Sequence, residues 1–178
     1  MTRVALSGTP GTGKTSVSEA VQALTDVEVV HLNEVVREHD LVAEHDLDRD
    51  SLVADIEAVG AWLDDYRNES DDGGDLLVES HLSHLLDVER VIVLRCHPES
   101  LKPRLRERGE SEATIAENAE SEALDLILAE AVEMHGEDSV WEINTTDRTP
   151  EAVAEDVVAA IEGGLAPRVG VVDFVEYL

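Results

Sequence analysis

A three-layer α/β fold, with a five-stranded parallel sheet covered by helices on both faces, is what this amino-acid sequence predicts. Three observations carry that expectation. Short runs rich in Val, Ile and Leu alternate with segments of helical period, the pattern of parallel strands joined by helical crossovers. The stretch LSGTPGTGKTS, residues 6–16, sets a glycine-rich turn between the first apolar run and the first helical segment. At 178 residues the chain fits one domain, 1–178, and can bury a real core.

The elements follow in order. RVALSG, residues 3–8, reads as a strand running into the glycine-rich turn, and residues 14–24 as a helix. VEVVHL, residues 27–32, is a second strand, followed by a polar and mostly helical region over 33–67. NESDDGGD, residues 68–75, is a loop by composition. LLVES (76–80) and VERVIVLRC (88–96) are apolar enough for central strands. HPESLKPRLRERG, residues 97–109, opens on a His-Pro turn signal, carries a helix and stops at Gly109. Over 115–135 the residues Ile115, Ala119, Ala123, Leu124, Ile127, Leu128, Ala131 and Val132 recur every three or four positions, which predicts one amphipathic helix. SVWEINTT (139–146) is a fifth strand. Thr149, Pro150 and Glu151 then supply an N-cap, a first-turn proline and an early carboxylate for a helix running to residue 161. The tail PRVGVVDFVEYL, residues 167–178, is apolar enough to dock.

The charge balance is extreme: 41 Asp and Glu face 13 Lys and Arg, for a formal net charge of −28. Only Lys14 and Lys102 are lysine. The carboxylates are spread through segments with apolar periodicity, and 43% of residues are hydrophobic, so the chain should fold rather than form an acidic tail. A surface adapted to the cytosol of a halophile explains the composition, because the screening length at 1 M salt is only about 3 Å and self-repulsion is then weak. Nonspecific nucleic-acid binding, which needs clustered Lys and Arg, is disfavoured. A single cysteine, Cys96, forbids an internal disulfide and suits a reducing compartment. Neither a signal peptide nor a membrane span is read, so a cytoplasmic protein is expected.

Gly8, Gly13, Lys14 and Thr15 satisfy G-x-x-x-x-G-K-[ST] between a strand and a helix, the context that a P-loop NTPase requires. Successive N–H groups turn inward there to form an anion nest at a helix N-terminus. Lys14 adds a compact positive charge for the β- and γ-phosphates of ATP, where the wide fork of arginine would not fit, and the Thr15 hydroxyl can ligate Mg²⁺. Magnesium also needs a carboxylate at the end of a neighbouring strand. VIVLRC ends without one, whereas LLVES carries Glu79. His81 and His84 stand just beyond in H-x-x-H spacing, without the further soft ligands that zinc would need. Arg104, Arg106 and Arg108 crowd five positions before a glycine and a polar segment that could hinge as a lid, with Arg104 and Arg108 on one helix face. Arg37, after the second strand, is the remaining cation for an acceptor's phosphate. No N-K-x-D guanine signature is present.

Together GTPGTGKT, HLNEVVREHDL, VESHLSHLL, LRCHPESLKPRLRERG, IAENAESE and VDFVEYL resemble, nearly end to end and in order, the archaeal and eukaryotic adenylate kinase isoenzyme 6 group. The resemblance implies a small nucleoside-monophosphate kinase with a short lid, tolerant of acceptors but centred on AMP, and an intrinsic ATPase. It also implies a role in maturation of the small ribosomal subunit, beside a platform protein of that subunit and only indirectly touching its immature rRNA. By position, Gly11, Gly13, Lys14, Thr15 and Ser16 would bind ATP, and Arg108 would reach it from a lid over 107–117. Residues 31–54 would hold the monophosphate, with Arg37 on its phosphate. Glu79, Ser80 and His81 stand where the family usually has Asp, an aromatic and His, so the longer carboxylate would hold Mg²⁺ directly or through water. Glu110 follows Gly109, where the family commonly has an aromatic or basic residue.

Three functions therefore compete: a kinase turning ATP and AMP into two ADP, an assembly ATPase that releases a ribosomal partner with little kinase turnover, and a P-loop kinase for a small metabolite. The acceptor-side Arg37 and the lid arginines favour the first.

Overall fold

The computed structural model describes residues 2–46, 51–70 and 73–178. Strands β1 (Arg3–Ser7), β2 (Glu28–His31), β5 (Leu76–Glu79), β6 (Arg90–Arg95) and β7 (Val140–Asn144) form one parallel sheet in the order β2-β5-β1-β6-β7. The five strands are those expected from sequence. The register Leu6 opposite Glu79 and Leu6 opposite Ile92 brings the C-terminal ends of β1, β5 and β6 to one edge, where ligands bind in open α/β sheets.

Alternation along the central strands builds both faces. Val4, Leu6, Leu77, Ile92 and Leu94 pack with Val17 and Val21 of α1 (Lys14–Leu24) and with Val153, Ala154 and Val157 of α7 (Pro150–Glu162). Ala5, Val78, Val91 and Val93 face the other way, onto Val36 of α2 (Leu32–Glu38), Val59 and Leu63 of α3 (Ile56–Glu69), and Leu128 and Ala131 of α6 (Leu126–His135). A smaller core of Cys96, Leu101, Leu105 and Ile115 joins α4 (Pro98–Glu107) to α5 (Glu112–Ala123).

One expectation is refined and one corrected. The region 33–67 is mostly helical as expected, in α2 and α3, but between them it folds as an antiparallel hairpin of β3 (Val42–Asp46) and β4 (Ser51–Ala54) that the sequence did not announce. Its hairpin pairing comes from contacts across the chain that a polar run does not advertise. The helix expected over 115–135 is two helices. Asp125 adopts a left-handed backbone, φ 57°, at the break between α5 and α6. The cause is tertiary: Arg95 of β6 takes both the Glu122 carbonyl, at 2.9 Å, and the Asp125 carboxylate.

The tail docks as expected. Arg168 adds a short parallel bridge to β7, with its N–H on Val140 O at 3.1 Å and its carbonyl accepting from Glu142 N at 2.8 Å. Phe174 is buried beyond it.

Candidate functional site

The glycine-rich turn emerges from β1 and enters α1. Gly8 has φ 146°, and a Cβ there would lie 2.6 Å from the Leu94 carbonyl, so only glycine lets the loop cross the backbone of β6. Gly13, at φ 95°, makes the left-handed step into α1 and aims the first N–H groups of the helix at the loop's concavity. Helix α4 leans on the other side: Leu101 and Leu105 side chains would be 3.3 Å from a Cβ on Gly11.

Lys14 is buried and curls back onto its own loop, donating to Gly8 O at 2.9 Å and Thr9 O at 3.2 Å. Burial lowers its pKa to about 8; Glu79 opposes that shift, Arg108 adds to it and Glu122 opposes it. The ammonium thus stays charged at neutral pH, held by carbonyls that a phosphate can replace. Thr15 and Ser16 lie exposed on the first turn of α1.

A cleft of about 80 Å³ brings together Lys14, Thr15, Glu79, His81, Arg108 and Asn33. Four residues far apart in sequence thus meet the P-loop, because β5 ends beside β1 and α4 ends above the turn. Glu79 is buried, and one of its oxygens accepts from His31 Nδ1 at 2.9 Å. Burial lowers the pKa of His81 to about 4, with Lys14 and His84 adding to the effect, so its ring is neutral in ordinary buffers. His84 is a different object from its H-x-x-H neighbour. Its Nδ1 meets Ser7 Oγ and its Nε2 meets Glu130, both at 2.8 Å, so neither ring nitrogen is free for a metal. Thr15 and Glu79 offer hard oxygen donors side by side, a set that suits Mg²⁺ rather than zinc.

A second cleft, about 400 Å³, runs from Gly11, Gly13 and Ser16 outward to Arg104, Arg108 and Arg148. Thr145 and Pro150, at the junction of β7 and α7, also line it. Arg108 borders both clefts, which fits one ligand with a charged end in the small cleft and a larger body in the other.

The arginines expected around the phosphates divide. Arg104 lines the large cleft and donates to Gly11 O at 2.9 Å, fixing the loop. Arg108 faces the cleft. Arg106 turns outward to Glu112, at 2.8 Å. The stretch expected to act as a lid, 107–117, is the end of α4, a glycine turn at φ 80° and the first half of α5. Arg37 sits exposed on the last turn of α2 and borders neither cleft. The stretch expected to hold a monophosphate, 31–54, includes α2 and the hairpin, with 47–50 outside the described residues. Sequence reasoning missed Asn33, Arg148 and Thr145. The signal available for the last two was the TTDRTP turn ending the fifth strand.

The family described as an AAA domain matches residues 4–125, which hold the P-loop, Glu79 and α4. A protein named "Putative adenylate kinase" from Natronomonas pharaonis is 55% identical over 176 residues, 99% of each chain. Its namesake from Halobacterium salinarum is 47% identical over 177 residues, again 99% of each, and that from Methanosarcina acetivorans 47% over 168 residues, 93% of this chain and 89% of the other. The first two come from halophilic archaea, in keeping with the acidic composition. Among solved structures, a shikimate kinase from Acinetobacter baumannii in complex with shikimate shares the fold, with TM-score 0.63 over 92% of this chain and 94% of that one, at 14% identity. The chain is therefore an α/β P-loop protein that belongs to the family of archaeal proteins named putative adenylate kinase.

Proposed function

We propose that the chain transfers the γ-phosphoryl group of ATP to AMP, giving two ADP, with tolerance for other nucleoside monophosphates and a slower hydrolysis of ATP. The observation that carries this reading is the convergence of Lys14, Thr15, Glu79, His81 and Arg108 on one small cleft at the P-loop. Transfer of a phosphoryl group asks mainly for positioning and for positive charge around a loose transition state. The N–H groups of Gly11 and Gly13 and of the first turn of α1 hold the phosphates. Lys14 exchanges its loop carbonyls for phosphate oxygens. Arg108, at the end of α4, balances charge on the migrating group. Thr15 and Glu79 would hold Mg²⁺, which neutralises and orients the phosphates. An acceptor phosphate oxygen attacks in line, with no covalent intermediate. His81, neutral and beside the reacting end, can accept a hydrogen bond from water and so orient it for hydrolysis. Arg37 fulfils the acceptor role only if α2 closes toward the cleft.

A second reading is an assembly ATPase in maturation of the small ribosomal subunit, acting in the cytoplasm on a platform protein. The position of Arg37 outside the clefts favours it, and a net charge of −28 suits a basic partner. Following ADP and free phosphate separately, in molar KCl with Mg-ATP, decides between them. ADP that depends on AMP and forms well in excess of phosphate supports the kinase. Phosphate released in step with ADP and unchanged by AMP supports the ATPase and would overturn the first reading.

A further inference from the structure

Behind the P-loop lies a chain of buried charges that phosphoryl transfer does not use. Glu122, on the last turn of α5, is only 3% exposed. One of its carboxylate oxygens accepts from Thr9 Oγ1 at 2.6 Å, across 113 positions of sequence. The other accepts from Arg95 Nε and from Cys96 N, each at 2.9 Å. Arg95, 1% exposed, also donates to Glu142 at 2.7 Å, to Asp125 and to the Glu122 carbonyl.

The C-terminal strap, residues 168–178, closes this network. Val171 N donates to the second oxygen of Glu142 at 2.7 Å, and the Phe174 ring lies 5.4 Å from the Arg95 guanidinium, sealing it from water. The strap is anchored at its end by Lys102, whose ammonium stands 4.8 Å from the Tyr177 ring. That contact gives the second of the chain's two lysines a place.

We propose that Glu122 is a positioning residue of the phosphate site, holding the crest of the P-loop through Thr9, and that the strap keeps Glu122 in place through Arg95. The inference rests on the P-loop being a nucleotide site. Thr9 is the point at which such control matters: its carbonyl accepts from Lys14 Nζ at 3.2 Å and from Thr12 Oγ1 at 2.9 Å. A side chain fixed at Glu122 therefore fixes the peptide that sets where Lys14 and the next turn of the loop sit. Arg95 commits four of its five N–H donors to Glu122, Asp125 and Glu142, so Glu122 cannot drift without leaving charged groups unpaired in the interior.

The test is affinity for a fluorescent ADP analogue with Mg²⁺ in molar KCl, read beside the melting temperature, for Thr9→Val, Thr9→Ser, Phe174→Ala and the double variant Thr9→Val/Phe174→Ala. Thr9→Val should bind roughly tenfold more weakly, the loss expected for one hydrogen bond to a charged group. Thr9→Ser, which keeps the hydroxyl, should restore most of it. Phe174→Ala should weaken binding several-fold, and the double variant no further than Thr9→Val alone, because both act through one bond. Thr9→Val with wild-type affinity, even at a lower melting temperature, would reduce Glu122 to a structural ion pair and overturn the proposal. Additive losses would overturn the route from the strap through Glu122. If Phe174→Ala does not fold, Phe174→Leu takes its place in the cycle. A wild-type chain that does not bind Mg-ADP would instead sink the nucleotide reading.

Discussion

Cations on the two sides of the P-loop are treated in opposite ways. Behind it, Arg95 is ringed by Glu122, Asp125 and Glu142 and has a partner for its Nε and both of its Nη atoms. In front, Lys14 bonds only to carbonyls of its own loop, and among the described residues no side chain or carbonyl accepts from the Arg108 guanidinium. In a chain with 41 carboxylates a cation without one is hard to arrange, since almost any exposed position would supply a partner. The difference teaches how to sort cations here. Arg95, saturated by carboxylates, holds the fold, whereas Lys14 and Arg108, which share a cleft with Glu79 but have no hydrogen bond to a carboxylate among the described residues, face a ligand that brings its own negative charge.

The largest effect that would break this contrast is expected at Arg95. Arg95→Met removes the one cation among three carboxylates, and removing one partner of a buried ionic network costs about 3–5 kcal/mol. Urea denaturation of that variant should show a correspondingly lower midpoint with an unchanged slope, and a wild-type midpoint would mean that the network is not held by charge. Lys14→Ala should do the reverse. Taking a charge out of a site where burial already works against it leaves the melting temperature unchanged or higher. Phosphoryl transfer should fall by roughly 10² to 10³, the scale for losing one charged stabiliser of a transition state. A Lys14→Ala protein that unfolds early and keeps its turnover would reverse the assignment.

How much of this was legible follows from range in sequence. The five strands and the P-loop were readable because they rest on local periodicity and on a contiguous motif. Glu79, His81 and Arg108 were readable as candidates because each ends a predicted element at the sheet edge where ligands bind. The hairpin of β3 and β4 was not readable, because EHDLDRD mixes charge with too few apolar positions to show a period of two. Neither was the break at Asp125, where an unbroken helical pattern yields to one arginine on a distant strand. The same arginine hides the role of Glu122: its hydrogen bond to Thr9 joins two motifs, GTPGTGKT and IAENAESE, whose spacing says nothing about contact.

Acid should weaken the fold through His84, a smaller effect that probes the back of the loop from β1. Burial holds its pKa below the usual 6.5, with Glu130 working against the shift. The unfolded chain therefore takes up a proton as pH falls through about 6.5 while the native His84 does not. Stability is flat above that value and falls below it. Melting scans in molar KCl from pH 8 to pH 5 measure the slope, and His84→Gln should reduce it, leaving the part that the buried, neutral His81 supplies. An equal slope in both proteins would remove His84 from the account.

Salt should act on the whole surface rather than on either side of the loop. With a net charge of −28, the melting temperature should climb as KCl is raised toward molar concentrations, and a flat response would remove self-repulsion as a term in stability. The buried network around Arg95, shielded from mobile ions, should contribute little to that climb.

Arg106 marks the lower end of the scale. It lies between the two arginines that border the large cleft, yet its side chain is 51% exposed and its partner Glu112 is 73% exposed. Neighbourhood in sequence would rank it with Arg104 and Arg108, whereas the sorting rule ranks it with neither the ligand cations nor the buried network. Exposed pairs of this kind contribute little in water and less in concentrated salt. Arg106→Ala should leave the melting temperature and the turnover at wild-type values in molar KCl, while Arg108→Ala lowers turnover by about a hundredfold. Equal losses in the two variants would show that α4 acts through its summed charge and not through the one guanidinium that faces the cleft.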